Sequence, residues 1–430
     1  MKYLIKTWGC QMNALDSDKM AGLLQGMGYE ATEHEGEADV ILLNTCSVRE
    51  GPENKVFTEL GRLKTLKKDR KVILGLVGCV AQQEKAGIFK RAPFVDLVMG
   101  PRGVKHLPEL LNQARHQHAI DTLFHDDSIL FPDQTIVRSH PTKAYITVME
   151  GCNKQCTFCI VPATRGREVY RPLESIVEEA KRAVDAGYQE VELLGQNVNC
   201  WKYDRHDFAG LLAAVSDIGG VRRLRFTTSH PRHFPIAAAD LMAERENICP
   251  YLHLPVQSGS DAILKAMRRQ YDKAWYLNLV DEIRNRVPDM AFSSDVIVGF
   301  PGEGEEDFEH TLDVVRRVEY DNLFSFRFSP RPGTRAEGME PVPEEVARER
   351  HQRLLDVQLE IQTRRFAAAV NGTMEVLVEG LSKKGDQYMG HSPDNKVVNF
   401  TSDWPVAVNS LVHVKITRSH INSLRGECLA

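Results

Sequence analysis

The sequence has no long apolar run, and its opening residues, Met1-Lys2-Tyr3-Leu4-Ile5-Lys6, hold no sustained apolar stretch. A membrane-spanning helix needs about 20 mostly apolar residues in a row. Neither a signal peptide nor a membrane anchor is therefore expected. Positive charge is not in excess: 54 Lys and Arg face 59 Asp and Glu, for a formal net charge of −5. A nucleic-acid partner must then be held by local basic patches, because the field of the whole molecule does not attract phosphate. An even cysteine set is also missing. Nine cysteines in 430 residues argue against a disulfide framework. They fit a reducing cytoplasm and thiolates on metal. With 42% apolar and 26% charged residues the composition is that of a soluble globular protein, and the length is too great for one core, so two or three domains are expected.

What is present is the loop Glu150-Gly151-Cys152-Asn153-Lys154-Gln155-Cys156-Thr157-Phe158-Cys159, with the spacing CxxxCxxC. Three thiolates in a tight loop can hold three corners of a [4Fe–4S] cube and leave one iron open to a substrate or cofactor. The loop lacks the fourth cysteine of the ferredoxin run, which closes the cluster. It also lacks the paired CxxC or nearby His of a structural zinc site. Zinc and unligated thiols stay as the other readings.

Three further cysteines fall at equivalent places. Residues 1 to about 115 alternate strand and helix, with apolar strands at Tyr3–Thr7, Asp39–Asn44, Lys71–Val77 and Phe94–Met99. Near-continuous apolar strands are typical of parallel sheets buried on both faces. Cys10, Cys46 and Cys79 follow the first three strands, at the carboxyl rim where open α/β sheets bind ligands. They read as a second three-thiolate site, or as three buried apolar thiols. Residues 116–143 read as a linker, with breakers at Pro132 and Pro141. From Ala144 six further βα units follow, with strands at Tyr145–Met149, Glu190–Leu194, Leu224–Thr228, Tyr251–Val256, Ser294–Val298 and Leu323–Phe328. Six units make a partial barrel, and the cysteine loop follows its first strand, on the face where barrel active sites gather. A long charged helix is predicted over 343–369, then short strands from Gly372 suggest a small barrel, either RNA-binding or a structural appendix. The expected fold class is α/β. An open parallel α/β sheet domain spans 1–117, a central (βα)6 partial TIM-type barrel spans 138–368, and a small antiparallel, OB-like β-barrel spans 369–430.

This layout resembles the radical S-adenosylmethionine (SAM) methylthiotransferases over essentially the whole chain. The matching stretches are TWGCQMN (7–13), NTCSVRE (44–50), GCVAQQE (78–84), MEGCNKQCTFCIVPATRGRE (149–168), LLGQNVN (193–199), RFTTSHP (225–231), LHLPVQSGSD (252–261), SSDVIVGFPGE (293–303) and NKVVNF (395–400). Within the family, Gln11-Met12 and Ser47-Val48 resemble the branch that methylthiolates isopentenyladenosine in tRNA. The branch that modifies a ribosomal protein typically has Pro-Lys at the first pair. The threonylcarbamoyladenosine branch tends to have Lys-Val there and Thr-Val at the second. Those two activities are the alternatives.

The resemblance implies a radical-SAM barrel and a carboxyl-terminal TRAM domain. It implies one [4Fe–4S] cluster on Cys152, Cys156 and Cys159, with SAM on the open iron, and an auxiliary [4Fe–4S] cluster on Cys10, Cys46 and Cys79 carrying the sulfur to be inserted. Phe158 would lie beside the SAM adenine and Gln196 near its methionine moiety. The target would be C2 of N6-(dimethylallyl)adenosine at tRNA position 37, near the anticodon. That aromatic C–H is one no side-chain acid or base activates readily, so the cofactors carry the chemistry. Expected partners are tRNA, an electron donor such as flavodoxin or ferredoxin, and an iron–sulfur or sulfur delivery protein. A cytoplasmic monomer with no membrane contact is expected. Other positions carry plainer expectations. Cys200, Cys249 and Cys428 are read as structural, and Arg62 to Lys71 as a solvated helix end or a phosphate patch. Arg165, Arg167 and Arg171 are read as substrate contacts, His230 and His253 as satisfied core or lining histidines, and Gly299, Pro301 and Gly302 as a tight turn or an approach to SAM.

Overall fold

The computed structural model describes residues 1–47, 50–129, 131 and 135–429. Val48 and Arg49 of the second motif, and Pro132, lie outside the described residues. The first unit is a six-stranded sheet of β1 (Lys2–Trp8), β2 (Glu30–Ala31), β3 (Val40–Thr45), β4 (Ile73–Gly78), β5 (Leu97–Met99) and β6 (Ala119–Asp121), in the order β2-β1-β3-β4-β5-β6. Every pairing is parallel. All six residues of β3 are buried, as a central parallel strand covered on both faces requires. Helix α1 (Gln11–Gly26) follows β1 and ends at Gly28, whose φ of +83° suits glycine.

The segment read as a linker has defined structure. Ala119–Asp121 is the edge strand β6 on β5. Farther on, the chain lies across α1: Val137 N–H donates to Asp18 O (3.2 Å) and Ser139 N–H to Asp18 Oδ1 (3.2 Å). Its polar, weakly periodic sequence misled because an edge strand and a strap need no apolar period of their own.

The second unit holds six parallel strands in two connected sheets. Lys143–Thr147, Glu190–Leu194 and Arg223–Phe226 form one; Tyr251–His253, Ala291–Val298 and Asn322–Arg327 form the other. A parallel bridge from Leu224 to Ile248 joins them. This is the predicted partial barrel. Its core includes Ile146, Val191, Leu224, Leu252, Phe292 and Leu312. The helix Glu344–Ala368 leads to a closed five-stranded barrel of Thr373–Leu381, Tyr388–His391, Val397–Thr401, Leu411–Ser419 and Leu424–Cys428. Four of its pairings are antiparallel, and Val397–Thr401 meets Leu424–Cys428 in parallel.

The small barrel sits against the amino ends of the large barrel's strands. Lys143, Glu190 and Arg223 are each the first residue of their strand and are buried. Arg223 donates to His391 O (2.6 Å) and pairs with Glu375 (2.9 Å), Arg225 donates to Ser392 O (2.8 Å), and Lys143 lies 3.4 Å from Glu379. Glu190 binds Arg225 at 3.0 Å. Burial pushes the Glu190 carboxyl up, but Arg225, Lys143 and Arg223 together hold it below the usual range. The opposite rim of the large barrel is therefore the one left for chemistry.

Candidate functional site

The amino-terminal rim is built by strand ends. Cys10 is the N-cap of α1, Cys46 follows β3, and Cys79 is the first residue of the short helix Cys79–Glu84 after β4. Cys46 N–H donates to Trp8 O (2.9 Å), which locks the first two ends together. Two asparagines complete the lock. Asn13 Nδ2 donates to Asn44 Oδ1 (3.1 Å), Asn44 Nδ2 donates to Asn13 O (2.8 Å), and the Cys10 thiol donates to Asn13 Oδ1 (3.3 Å). A Cβ on Gly9 would meet Asn13 Oδ1 at 2.5 Å and Cys46 Cβ at 2.9 Å, so glycine lets the two cysteine turns touch. The Cys46 thiol, then Arg165 and the backbone N–H groups of Asn13 and Met12, hold Cys10 below the usual thiol range. Burial pushes Cys79 up, with Arg165 opposing it.

The second rim is the loop after Lys143–Thr147. Gly151 has φ +81°, and a Cβ there would meet Arg167 O at 2.0 Å. Gly151 N–H donates to Gln196 Oε1 (2.5 Å), Cys152 N–H to Gly166 O (3.0 Å), and Cys159 N–H to Cys156 O (3.1 Å). Thr157 is tied to Met267 O (3.2 Å) and Ala266 O (3.0 Å). The buried Arg269 reaches Cys156 Sγ at 3.5 Å and anchors on Pro255 O at 3.0 Å. Burial pushes Cys152 up to about 11 and Cys159 up to about 12. A ligand that takes these thiols must therefore compensate a high cost of ionisation, which a cationic iron centre does.

The two rims meet. Arg165, at the end of Val161–Arg165 beyond the loop, binds Asp16 of α1 at 2.6 Å, with both side chains 3% exposed. Met12 and Leu15 of α1 pack on Leu194, the last residue of a barrel strand. Buried polar atoms without a hydrogen-bond partner among the described residues gather along both rims: Thr45 Oγ1, Ser47 Oγ and Arg165 Nη1 on one side, Asn197 Oδ1, Ser229 Oγ and His230 Nδ1 on the other. Such atoms cost about 1–3 kcal/mol each unless a ligand or solvent satisfies them. Three thiolates on one tetrahedral zinc, at ~2.3 Å from the metal, would lie about 3.8 Å apart. No three cysteine sulfurs among the described residues lie within 4.8 Å of one another. A cubane places each cysteine on a different iron and so calls for sulfurs farther apart than a single zinc does.

Each predicted residue has a place. Phe158 packs on an apolar group that includes Ile263, Met267 and Phe300. Gln196 lies at the end of the second barrel strand and holds the cysteine loop through Gly151. Met12 is buried against the barrel rim and Ser47 is buried beside Cys46.

The plainer expectations meet mixed outcomes. Arg171 is buried on Glu179 and donates to Ser175 O (3.0 Å), so it is a scaffold residue. Arg165 is committed to Asp16, while Arg167 is exposed and pairs with Asp126. The basic run is largely engaged within the chain: Arg62 on Glu35 and Glu59, Lys67 on Asp96 at 2.5 Å, Arg70 on Gly36 O at 2.7 Å. His253 is satisfied by Ser293 (2.8 Å), whereas His230 keeps an unpartnered Nδ1. A Cβ on Gly299 (φ +73°) would meet Ala347 Cβ at 2.8 Å, so the tight turn here packs directly under a helix. Cys200 accepts from Asn197 Nδ2 (2.8 Å) and Cys249 is buried. Sequence reading missed Asn13, Asn44, Asp16 and Arg269. The first two lie inside the quoted motifs; Arg269 has no local signal.

With this geometry in hand, the comparisons define the class. Residues 2–100 match the uncharacterized protein family UPF0004, residues 146–315 the radical SAM superfamily, and residues 368–429 the TRAM domain. The chain is 44% identical to the tRNA-2-methylthio-N(6)-dimethylallyladenosine synthase of Aquifex aeolicus, over 100% of this chain and 98% of that one. It is 46% identical to the protein of that name from Acidovorax sp., over 99% and 97%. It is 45% identical to that of Vibrio vulnificus, over 99% and 92%. The chain belongs to this family of radical-SAM methylthiotransferases. Among solved structures, the radical SAM methyltransferase TsrM of Kitasatospora setae aligns with TM-score 0.58 at 17% identity, covering 78% of this chain and 77% of that one. The cobalamin-dependent SAM radical enzyme OxsB aligns with TM-score 0.54 at 11% identity, covering 84% and 56%. Those two likenesses concern the fold alone.

Proposed function

We propose that this chain is a tRNA methylthiotransferase that inserts a 2-methylthio group at C2 of N6-(dimethylallyl)adenosine at position 37, near the anticodon. The observation that carries the reading is the meeting of two three-cysteine rims across the Arg165–Asp16 pair, in a chain whose full-length relatives bear that name. Cys152, Cys156 and Cys159 would hold one [4Fe–4S] cluster, and Cys10, Cys46 and Cys79 the auxiliary one, each leaving an iron without a protein ligand. When bound, the clusters and two SAM supply the one-electron, methyl- and sulfur-transfer chemistry that the aromatic C2–H needs.

The protein's own part is to position and shield. Arg269 donates to Cys156 and steadies its negative charge. Gln196 fixes Gly151 and would face the methionine end of SAM. Phe158, backed by Phe300 and Met267, would offer an apolar face to the adenine. The TRAM barrel is the RNA-binding part of the assignment. The units are assigned to 1–117, 138–368 and 369–430, with β6 added to the first as its edge strand. No helix among the described residues is long and apolar enough to cross a membrane. A cytoplasmic monomer is proposed, served by an electron donor such as flavodoxin or ferredoxin and by an iron–sulfur or sulfur delivery protein.

Nucleoside mass spectrometry of tRNA from a strain lacking the gene tests the reading. Loss of 2-methylthio-isopentenyladenosine, restored by the gene, is expected; unchanged levels with no redundant enzyme would overturn it. Parallel incubation of the reconstituted enzyme with modified tRNA and with ribosomal protein separates it from the protein-modifying alternative.

A further inference from the structure

One cluster of metal-ligating side chains lies outside both cysteine sets. His106 ends the 3-10 turn Pro101–His106, Asp121 ends β6, and His125 follows four residues later. Their ligand atoms all lie within 4.8 Å of one another. His106 Nδ1 is 2.7 Å and His125 Nε2 is 3.0 Å from the same oxygen, Asp121 Oδ2. The two rings stand edge to face, 4.4 Å apart and 86° to one another.

A simple ion pair does not account for this arrangement. One imidazolium suffices to neutralise one carboxylate, and two would place like charges 4.4 Å apart. The local cations are committed elsewhere: Lys105 to Asp127 (3.2 Å) and Arg102 to Asp126 (3.2 Å). Asp121 pairs with no Lys or Arg among the described residues, and its side chain is only 10% exposed. The backbone is shaped around the carboxylate. Gly100 N–H donates to Asp121 O (2.8 Å), Leu123 N–H to Asp121 Oδ1 (3.1 Å), and a Cβ on Gly103 would come within 3.1 Å of Oδ2.

We propose that His106, Asp121 and His125 bind one divalent zinc ion, distinct from the iron sites. Two imidazole nitrogens and a carboxylate oxygen form an ordinary zinc donor set. Bonds of about 2.0–2.1 Å to a tetrahedral ion place neighbouring donors ~3.4 Å apart. The present 2.7 and 3.0 Å need to open by about 0.4–0.7 Å, within reach of side-chain rotation. Neutral His106 binds through Nδ1 by moving its proton to Nε2, so no oxidant or reductant is involved. The half-exposed face of His106, 42% exposed, leaves a fourth position for water. The ion would staple the edge strand β6 to the 3-10 turn Pro101–His106. The same turn carries Arg102, which donates to Arg167 O (2.6 Å) and lies 3.8 Å from Glu150 at the start of that loop.

The test uses the full-length protein with both clusters reconstituted anaerobically, so that the six cysteines are occupied. It is equilibrated with micromolar zinc, passed through a desalting column, and analysed for metal and by zinc K-edge absorption. One zinc per chain with only nitrogen and oxygen in its first shell is expected. The double variant His106→Gln, His125→Gln should bind zinc more weakly by over about 100-fold, beyond the loss of an outer-shell partner. Asp121→Asn keeps the oxygen that Leu123 N–H needs and should also lose the ion, while iron stays at about eight per chain. Equal zinc in wild type and Asp121→Asn, sulfur in the zinc shell, or no zinc retained by the wild type would each overturn the proposal.

Discussion

Arg269 shows what a single residue adds and why it was hidden. It lies 113 positions from Cys156, yet its guanidinium sits 3.5 Å from the sulfur. A positive donor on a cluster thiolate makes the cluster easier to reduce. Arg269→Gln is expected to lower the loop cluster's reduction potential by roughly tens of millivolts while iron stays near eight. Arg269→Lys should recover part of the shift in a redox titration followed by electron paramagnetic resonance. Glu303 gives a pH signature at the same scale. Burial outweighs Gly299 N–H and Arg350 and raises its pKa from 4.5 to about 7. The folded state then binds more protons than the unfolded one between those values, so stability falls as pH rises from about 4.5 to 7. Chemical denaturation between pH 5 and 8 should show a decline of about 2–3 kcal/mol that flattens in Glu303→Gln. A slope unchanged in the variant would remove Glu303 as its source. The six motif cysteines were legible because spacing along the chain shows local loops and strand ends. Arg269 and Asp16 were not, because their roles are contacts across distant segments.

At the scale of elements, two turns decide whether the thiols converge. Gly151→Ala places a Cβ 2.0 Å from Arg167 O, and that atom is backbone with no side-chain rotation to relieve it. Iron in that variant is expected to fall from about eight to about four per chain, with the auxiliary set retained; full iron content would show that the loop tolerates the shift. The Arg165–Asp16 pair joins the elements that bear the two cysteine sets. Breaking a buried pair leaves an uncompensated charge and costs about 3–5 kcal/mol. Asp16→Ala should therefore lower the urea midpoint. Strands were readable as apolar runs, but β6 was not. Three residues, Ala119-Ile120-Asp121, carry too little pattern, and only their pairing with β5 makes them a strand.

For the whole molecule, the decisive feature is which end of the large barrel the TRAM barrel covers. Lys143, Glu190, Arg223 and Arg225 form a buried charged layer at the amino ends of the strands, against Glu375, Glu379 and the His391 and Ser392 carbonyls. This leaves the carboxyl rim to meet the first unit. Glu190→Gln removes the anion that two arginines and a lysine share. Loosened packing of the TRAM barrel is expected, at a cost of about 3–5 kcal/mol. Limited proteolysis near Ala369 to Gly372 should be faster in this variant, and an unchanged rate would mean the layer is not what holds the barrel in place.

The sequence by itself determined the three-part architecture, the two cysteine sets and the resemblance of the flanking motifs. These are local properties: apolar period, residue spacing, and the placement of cysteines just after strands. Only the tertiary structure decided that the two rims meet across Arg165 and Asp16, that Asn13 and Asn44 lock two cysteine turns, and that the TRAM barrel closes the opposite end. Those facts depend on contacts between residues up to 168 positions apart, which neither period nor spacing along one chain can encode.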